Sequence, residues 1–126
     1  MDKNYQLGLL YLVHLLVSAD GVVDEKELAA LDKIKTREKI SDAVFGQFKT
    51  DITIKKERDI YQSGLEFLSK CTNEQRLQAF AILYKMSEVD GRVHVKEVRL
   101  LLYSTKMTGV EFDDVVKQAS TMPSFY

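Results

Sequence analysis

The feature that most constrains this chain is a pattern written twice. At an offset of 70 residues, Asp20-Gly21 falls on Asp90-Gly91, Val23 on Val93, Lys26 on Lys96, Glu27 on Glu97 and Leu31 on Leu101. Upstream, Leu9, Leu12, Val13 and Leu16 fall on Ala79, Ile82, Leu83 and Met86. Each upstream quartet has i, i+3, i+4, i+7 spacing, the apolar stripe of a helix that faces a core. Each copy, over about residues 8–34 and 78–104, therefore reads as helix, tight Asp-Gly turn, one extended Val and a second helix. Glycine suits such a turn because a left-handed backbone costs it little.

Helix starts and stops can be placed between and after the copies. Asp24 has N-cap chemistry, with Glu27 at capping-box spacing; in the second copy His94 and Glu97 hold those places. Ser41 is expected to cap a short helix carrying Val44, Phe45 and Phe48. Thr53 is expected to cap a longer one, with Tyr61, Gly64, Leu65 and Leu68 on one stripe. Thr72 with Gln75 forms a capping box. Thr108-Gly109 marks a C-cap. Phe112, Val115, Val116 and Ala119 give a last amphipathic helix, with Pro123 at its end or in the tail beyond. Ile52-Thr53-Ile54 alternates like a strand but has no partner to pair with, so it reads as loop or helix start. The expectation is an all-α bundle of seven helices in a single domain, 1–126. A single Pro and six Gly agree with it.

The paired segments, Ala19-Asp20-Gly21-Val22-Val23-Asp24-Glu25-Lys26-Glu27-Leu28 and Val89-Asp90-Gly91-Arg92-Val93-His94-Val95-Lys96-Glu97-Val98, resemble the signature of the TerB family, named for bacterial tellurite resistance. That module is also similar to the cytoplasmic region of a membrane-anchored DnaJ-like co-chaperone. The resemblance spans roughly residues 5 to 120. The second copy departs at His94 and Val95, where acidic or small polar residues are usual. The resemblance implies a seven-helix module used in stress response. Such a module docks other proteins, is often proposed to bind divalent cations through its acidic residues, and has no established catalytic reaction.

The residues themselves admit that cation reading and a plainer one. Packed as a pseudo-twofold pair, the copies would bring Asp20, Asp24 and Glu27 toward Asp90 and Glu97. Clustered carboxylates suit Ca²⁺ or Mg²⁺, and His94 would tilt the site toward Mn²⁺ or Zn²⁺. In the plainer reading, Asp20 and Asp90 make Asx turns, while Glu27 and Glu97 bond back at helix starts. A third reading, a metal-activated water on Asp20, Asp24, Asp90 and His94, would make the chain a hydrolase-like enzyme. An EF-hand is excluded, because Gly21 follows the first Asp at once and Val22 stands where an oxygen ligand belongs.

Other chemistry finds little support. There is no Gly-rich phosphate loop, HExxH or Gly-x-Ser-x-Gly. His14 sits among leucines as a core or edge residue. Cys71 is the lone cysteine and has no CxxC partner, so neither a disulfide nor a nucleophile is expected. Asp113-Asp114 reads as an exposed first turn. No catalytic residue and no certain cofactor is assigned.

Charge is uneven. The net is −1, yet residues 33–58 hold eight Lys or Arg against four acids. That +4 stretch reads first as a solvated exterior, and otherwise as a patch for an acidic partner or a peripheral contact with phospholipid headgroups. Nucleic acid is not expected, since most of the aromatics have core spacing. Leu7–Val17 is too short to span a bilayer. Val17-Ser18-Ala19 imitates a signal cleavage site, but Asp2 weakens the leading charge and the same apolar pattern recurs in mid-chain. The expected compartment is the cytoplasm, and the expected partner another protein, in an oligomeric state the sequence leaves open.

Overall fold

A computed structural model describes residues 3–17, 25–87 and 103–121 of the chain. The helix at its centre, α1 (Lys3–Val17), is apolar on nearly every side. A helix with no polar face has to be enclosed, and residues 5–13 and 15 are all buried. Burying each large apolar side chain contributes about 2 kcal/mol, so α1 is the main source of core stability. Helices α2 (Glu25–Arg37), α3 (Asp42–Ile54), α4 (Glu57–Ser69) and α5 (Asn73–Ser87) follow; residues 103–108 are helical (α6), and α7 spans Phe112–Ser120. Among the described residues there is no strand. The protein is an all-α bundle.

Several helices pack onto α1: α4 most extensively, then α5 and α3, while α7 packs on α5. The α1–α4 seam is close because both helices present a glycine. A Cβ on Gly8 would lie 2.9 Å from Leu68 Cγ and 3.1 Å from the Gly64 carbonyl oxygen. A Cβ on Gly64 would lie 3.1 Å from Leu12 Cδ2 and 3.3 Å from Tyr11 Cβ. Ile60 and Leu68 are buried on the same side of α4.

Helix boundaries recur at the offset of the sequence repeat. α1 and α5 are both 15 residues long, beginning at Lys3 and Asn73. α3 begins at Asp42 and α7 at Phe112. The ends of α2 and α6 are closed by the same pair of hydrogen bonds. Lys39 N–H donates to the Thr36 carbonyl at 3.3 Å and Ile40 N–H to that of Lys35 at 2.9 Å; Gly109 and Val110 repeat this on Lys106 and Thr105 at 3.3 and 2.9 Å. Both cap residues have a left-handed backbone, φ 55° at Lys39 and 74° at Gly109. This is a Schellman ending. Lysine lacks glycine's freedom there and is strained. The starts of α1 and α3 thus correspond in offset to those of α5 and α7, while α3 ends at Ile54 and α7 at Ser120, and α4 lies between the two sets. The two Asp-Gly turns lie outside the described residues.

The first stripes point inward as their spacing predicts: Leu9, Leu12 and Val13 are buried, as are Ala79, Ile82 and Leu83. Two expected caps form. Ser41 Oγ accepts from Val44 N–H at 3.2 Å. Thr72 and Gln75 bond reciprocally at 3.0 and 3.1 Å. One expected cap does not. Thr53 lies inside α3, its hydroxyl donating to the Thr50 carbonyl, and Lys56 opens α4 with no side-chain bond. The Ile52-Thr53-Ile54 run is the last turn of α3, which is therefore longer than its apolar residues suggest. Ile52 packs on the core and carries the helix past the point where alternation resembled a strand. The expected last helix is α7, with Val115 and Ala119 buried; Pro123 and the tail Met122–Tyr126 lie outside the described residues.

Candidate functional site

The helices that lead into the two Asp-Gly turns, α1 and α5, pack against one another. Of the residues assigned to a cation site, Asp20, Asp24, Asp90, His94 and Glu97 lie outside the described residues. Glu27 belongs to the first turn of α2 by its backbone. Among the described residues, no group of three or more His, Cys, Asp or Glu side chains is placed to hold a metal ion.

The described part of the core contains a polar chain that sequence reasoning missed. The Tyr5 hydroxyl on α1 donates to Glu38 Oε1 at 2.5 Å, just past the end of α2. Gln78 Nε2 on α5 reaches the same oxygen at 3.5 Å, and Gln118 Nε2 on α7 donates to Gln78 Oε1 at 3.1 Å. Four elements are tied through one buried glutamate, 7% exposed. Burial pushes the Tyr5 hydroxyl well above its usual range, and the Glu38 hydrogen bond pushes it further, so Tyr5 remains a donor. A second tie joins Tyr11 on α1 to Asp51 on α3 by a hydrogen bond from hydroxyl to carboxyl. Burial, then Asp51, again raises the phenol. In the sequence Glu38 stands in the charged run Arg37-Glu38-Lys39, which reads as solvent-facing; in the structure it lies one helical turn after the buried Ile34, on the inner side.

These groups bond to one another, so the cluster fastens helices and offers no open ligand set. Cys71 is buried, with Sγ 3.5 Å from the Phe67 carbonyl oxygen, in the setting of a structural thiol. Arg76 closes the end of α4 by donating to the carbonyls of Ser69 and Cys71 at 3.2 and 3.1 Å. It also donates to Asn73 Oδ1 at 2.8 Å. His14 is half-buried and meets the Phe48 ring edge-on at 6.1 Å. Burial holds its pKa below the usual value, against an opposing pull from Glu57. Asp113 and Asp114 are exposed in the first turn of α7, where acids favour the helix dipole.

The outer surface has two further features. Tyr103 and Met107 are exposed one turn apart on α6, 53% and 60%, with the Tyr103 ring 5.9 Å from that of Tyr61. Lysines gather around α3. Lys35 and Lys49 place their ammonium groups 5.4 and 5.0 Å from the Phe45 ring centre, and Lys55 lies 5.3 Å from that of Tyr11. No helix among the described residues is long and apolar enough to cross a membrane.

The family model described as tellurite resistance protein TerB matches residues 6–118, nearly the whole chain. No curated protein and no solved structure gives a significant match.

Proposed function

The chain belongs to the TerB family, and from that premise we propose that it is a non-enzymatic accessory module of stress response. It docks partner proteins in the cytoplasm and holds a divalent cation at its paired acidic turns. The observation that carries the reading is the repeated Asp-Gly and Lys-Glu pattern inside a family match of this extent. The proposed ligands are Asp20, Asp24 and Glu27 from the first copy, with Asp90, His94 and Glu97 from the second. Oxygen donors would favour Ca²⁺ or Mg²⁺, and the His94 nitrogen Mn²⁺ or Zn²⁺.

Calorimetric titration of the full chain with each of these four ions tests it. Binding to the native state has to raise the melting temperature with ion concentration. Asp20→Asn and Asp90→Asn are expected to abolish both the heat and that rise. Absence of heat with all four ions would remove the cation from the proposal.

A second reading has one observation in its favour. Thr72 and Gln75, at capping-box spacing, do form a reciprocal cap, and Asp24 and Glu27 have the same spacing. On that reading the acids only shape turns and helix starts. Asp20→Asn and Asp90→Asn would then lower stability without changing any response to cations.

A further inference from the structure

Helix α3 packs chiefly on α1. It turns Phe45 and Phe48 inward and leaves Ala43, Gly46, Gln47, Thr50, Thr53 and Ile54 exposed, a strip without charge. Ile54 is 73% exposed. Cations border the strip. Lys35 and Lys49 share the Phe45 ring, each placing its ammonium group over it. Lys55 and Lys56 follow directly after Ile54.

The tertiary structure makes this surface more basic than the sequence suggests. Residues 33–58 contain four acids. Glu38 is buried on the Tyr5 hydroxyl, and Asp51 is turned onto that of Tyr11. Asp42 is occupied by Lys35 at 2.6 Å. Glu57 is the fourth, and it is exposed in the first turn of α4. Half of the acids that would balance the lysines are therefore directed into the protein by tyrosines of α1.

We propose that the outer side of α3, bordered by Lys49, Lys55 and Lys56, docks an acidic segment of a partner protein that also brings an apolar residue to Ile54. This deepens, and rests on, the partner-docking reading above. Charge complementarity selects the acidic chemistry. A bilayer surface fits less well, because stable seating needs a broad apolar face and this strip has one large exposed aliphatic side chain. Single-stranded nucleic acid fits less well too. Phe45, the ring that would stack a base, is buried beneath two lysines.

The test is fluorescence anisotropy on the full chain with three probes: a labelled helical peptide of Glu and Leu, vesicles containing phosphatidylserine, and oligothymidine. The peptide is expected to bind best. Its affinity is expected to fall by about tenfold or more between about 0.1 M and about 1 M salt, where the screening length drops from about 10 to about 3 Å. Lys49→Glu with Lys56→Glu, both at exposed positions, is expected to weaken binding by at least about tenfold at the lower salt. Ile54→Asp is a second variant that leaves the lysines in place and is expected to weaken it as well. Lys117→Glu, at an exposed position of α7, is expected to change nothing. No peptide binding at the lower salt, equal binding by the double variant, or stronger binding to vesicles or oligothymidine overturns the proposal.

A photoreactive side chain at position 54 or 103, used in the cells that make the protein, separates this inference from the reading beneath it. Adducts at 54 that disappear in the double lysine variant support the α3 surface. Adducts at 103 alone overturn it and keep partner docking. Adducts at neither position overturn both.

Discussion

The halves α1–α3 and α5–α7 share the starts of their first and third helices and differ in what those helices are asked to do. Gly8 of α1 and Gln78 of α5 occupy the same repeat position. At Gly8 the bare backbone lets α4 approach; at Gln78 a side chain links Glu38 to Gln118. The third helices differ as well. α3 has 13 residues, is anchored by Phe45, Phe48 and the Tyr11–Asp51 bond, and carries lysines. α7 has nine, is anchored by Val115 and Ala119, and opens with acids. The repeat offset relates where the first and third helices of each half begin. Packing partners set what stands on them, and α4, which occurs once, breaks the equivalence.

The sharpest way to test that asymmetry is Gly8→Ala. The added methyl would meet Leu68 and the α4 backbone inside 3.2 Å. Overpacking of this kind costs about 1–3 kcal/mol, against a gain in helix propensity of at most about 1. A clear loss in urea midpoint is expected. A neutral or stabilised variant would show that the seam is looser than its distances imply.

The two Schellman endings give a paired test of next largest size. Lys39→Gly relieves a left-handed lysine and is expected to stabilise by about 1 kcal/mol; Gly109→Ala introduces the same strain and is expected to destabilise by a similar amount. Thermal melts of both variants should move in opposite directions. Movement in the same direction would show that the ends are not energetically alike.

Only the second half has a reciprocal cap among the described residues. Thr72→Ala is expected to cost about 1 kcal/mol, read by denaturant melts, and to increase amide exchange mainly in the first turn of α5.

The smallest effect is a pH dependence from His14 of α1. His14 lies between Phe48 of α3 and the charge of Glu57 at the start of α4. Burial depresses its pKa in the folded state, so below about 6.5 the unfolded chain takes up a proton that the folded chain resists. The associated stability is complete above the unfolded value and is lost as pH falls toward the folded one. Melting temperature is therefore expected to drop between about pH 7.5 and about pH 5.5, and to drop less in His14→Gln. An equal drop in the variant would assign the dependence to other groups.

Much of the bundle was legible because its signals are local. The stripe through Leu9, Leu12 and Val13, the Thr72–Gln75 box and the Gly109 stop each act within a turn or two of chain, and each appears where its spacing placed it. The illegible features are contacts across long separations. Tyr5 meets Glu38 and Tyr11 meets Asp51 across 33 and 40 residues, and no periodicity announces either. Lys39 hid a helix end because it occupies a glycine's place. Thr53 misled because a threonine hydroxyl serves inside a helix as readily as at its start. The candidate cation residues rest on the repeat and the family match alone.

By itself, the sequence determined an all-α chain, the inward stripes and membership of the TerB family. Those follow from residue order, turn chemistry and helical period, which need no knowledge of neighbours. Tertiary structure decided which glycine admits another helix and which glutamate is buried. It also decided which face of α3 is left basic. A carboxyl group beside a tyrosine of another helix is internal polar structure, while the same group in solvent is surface charge, and only the packing of α1 distinguishes the two.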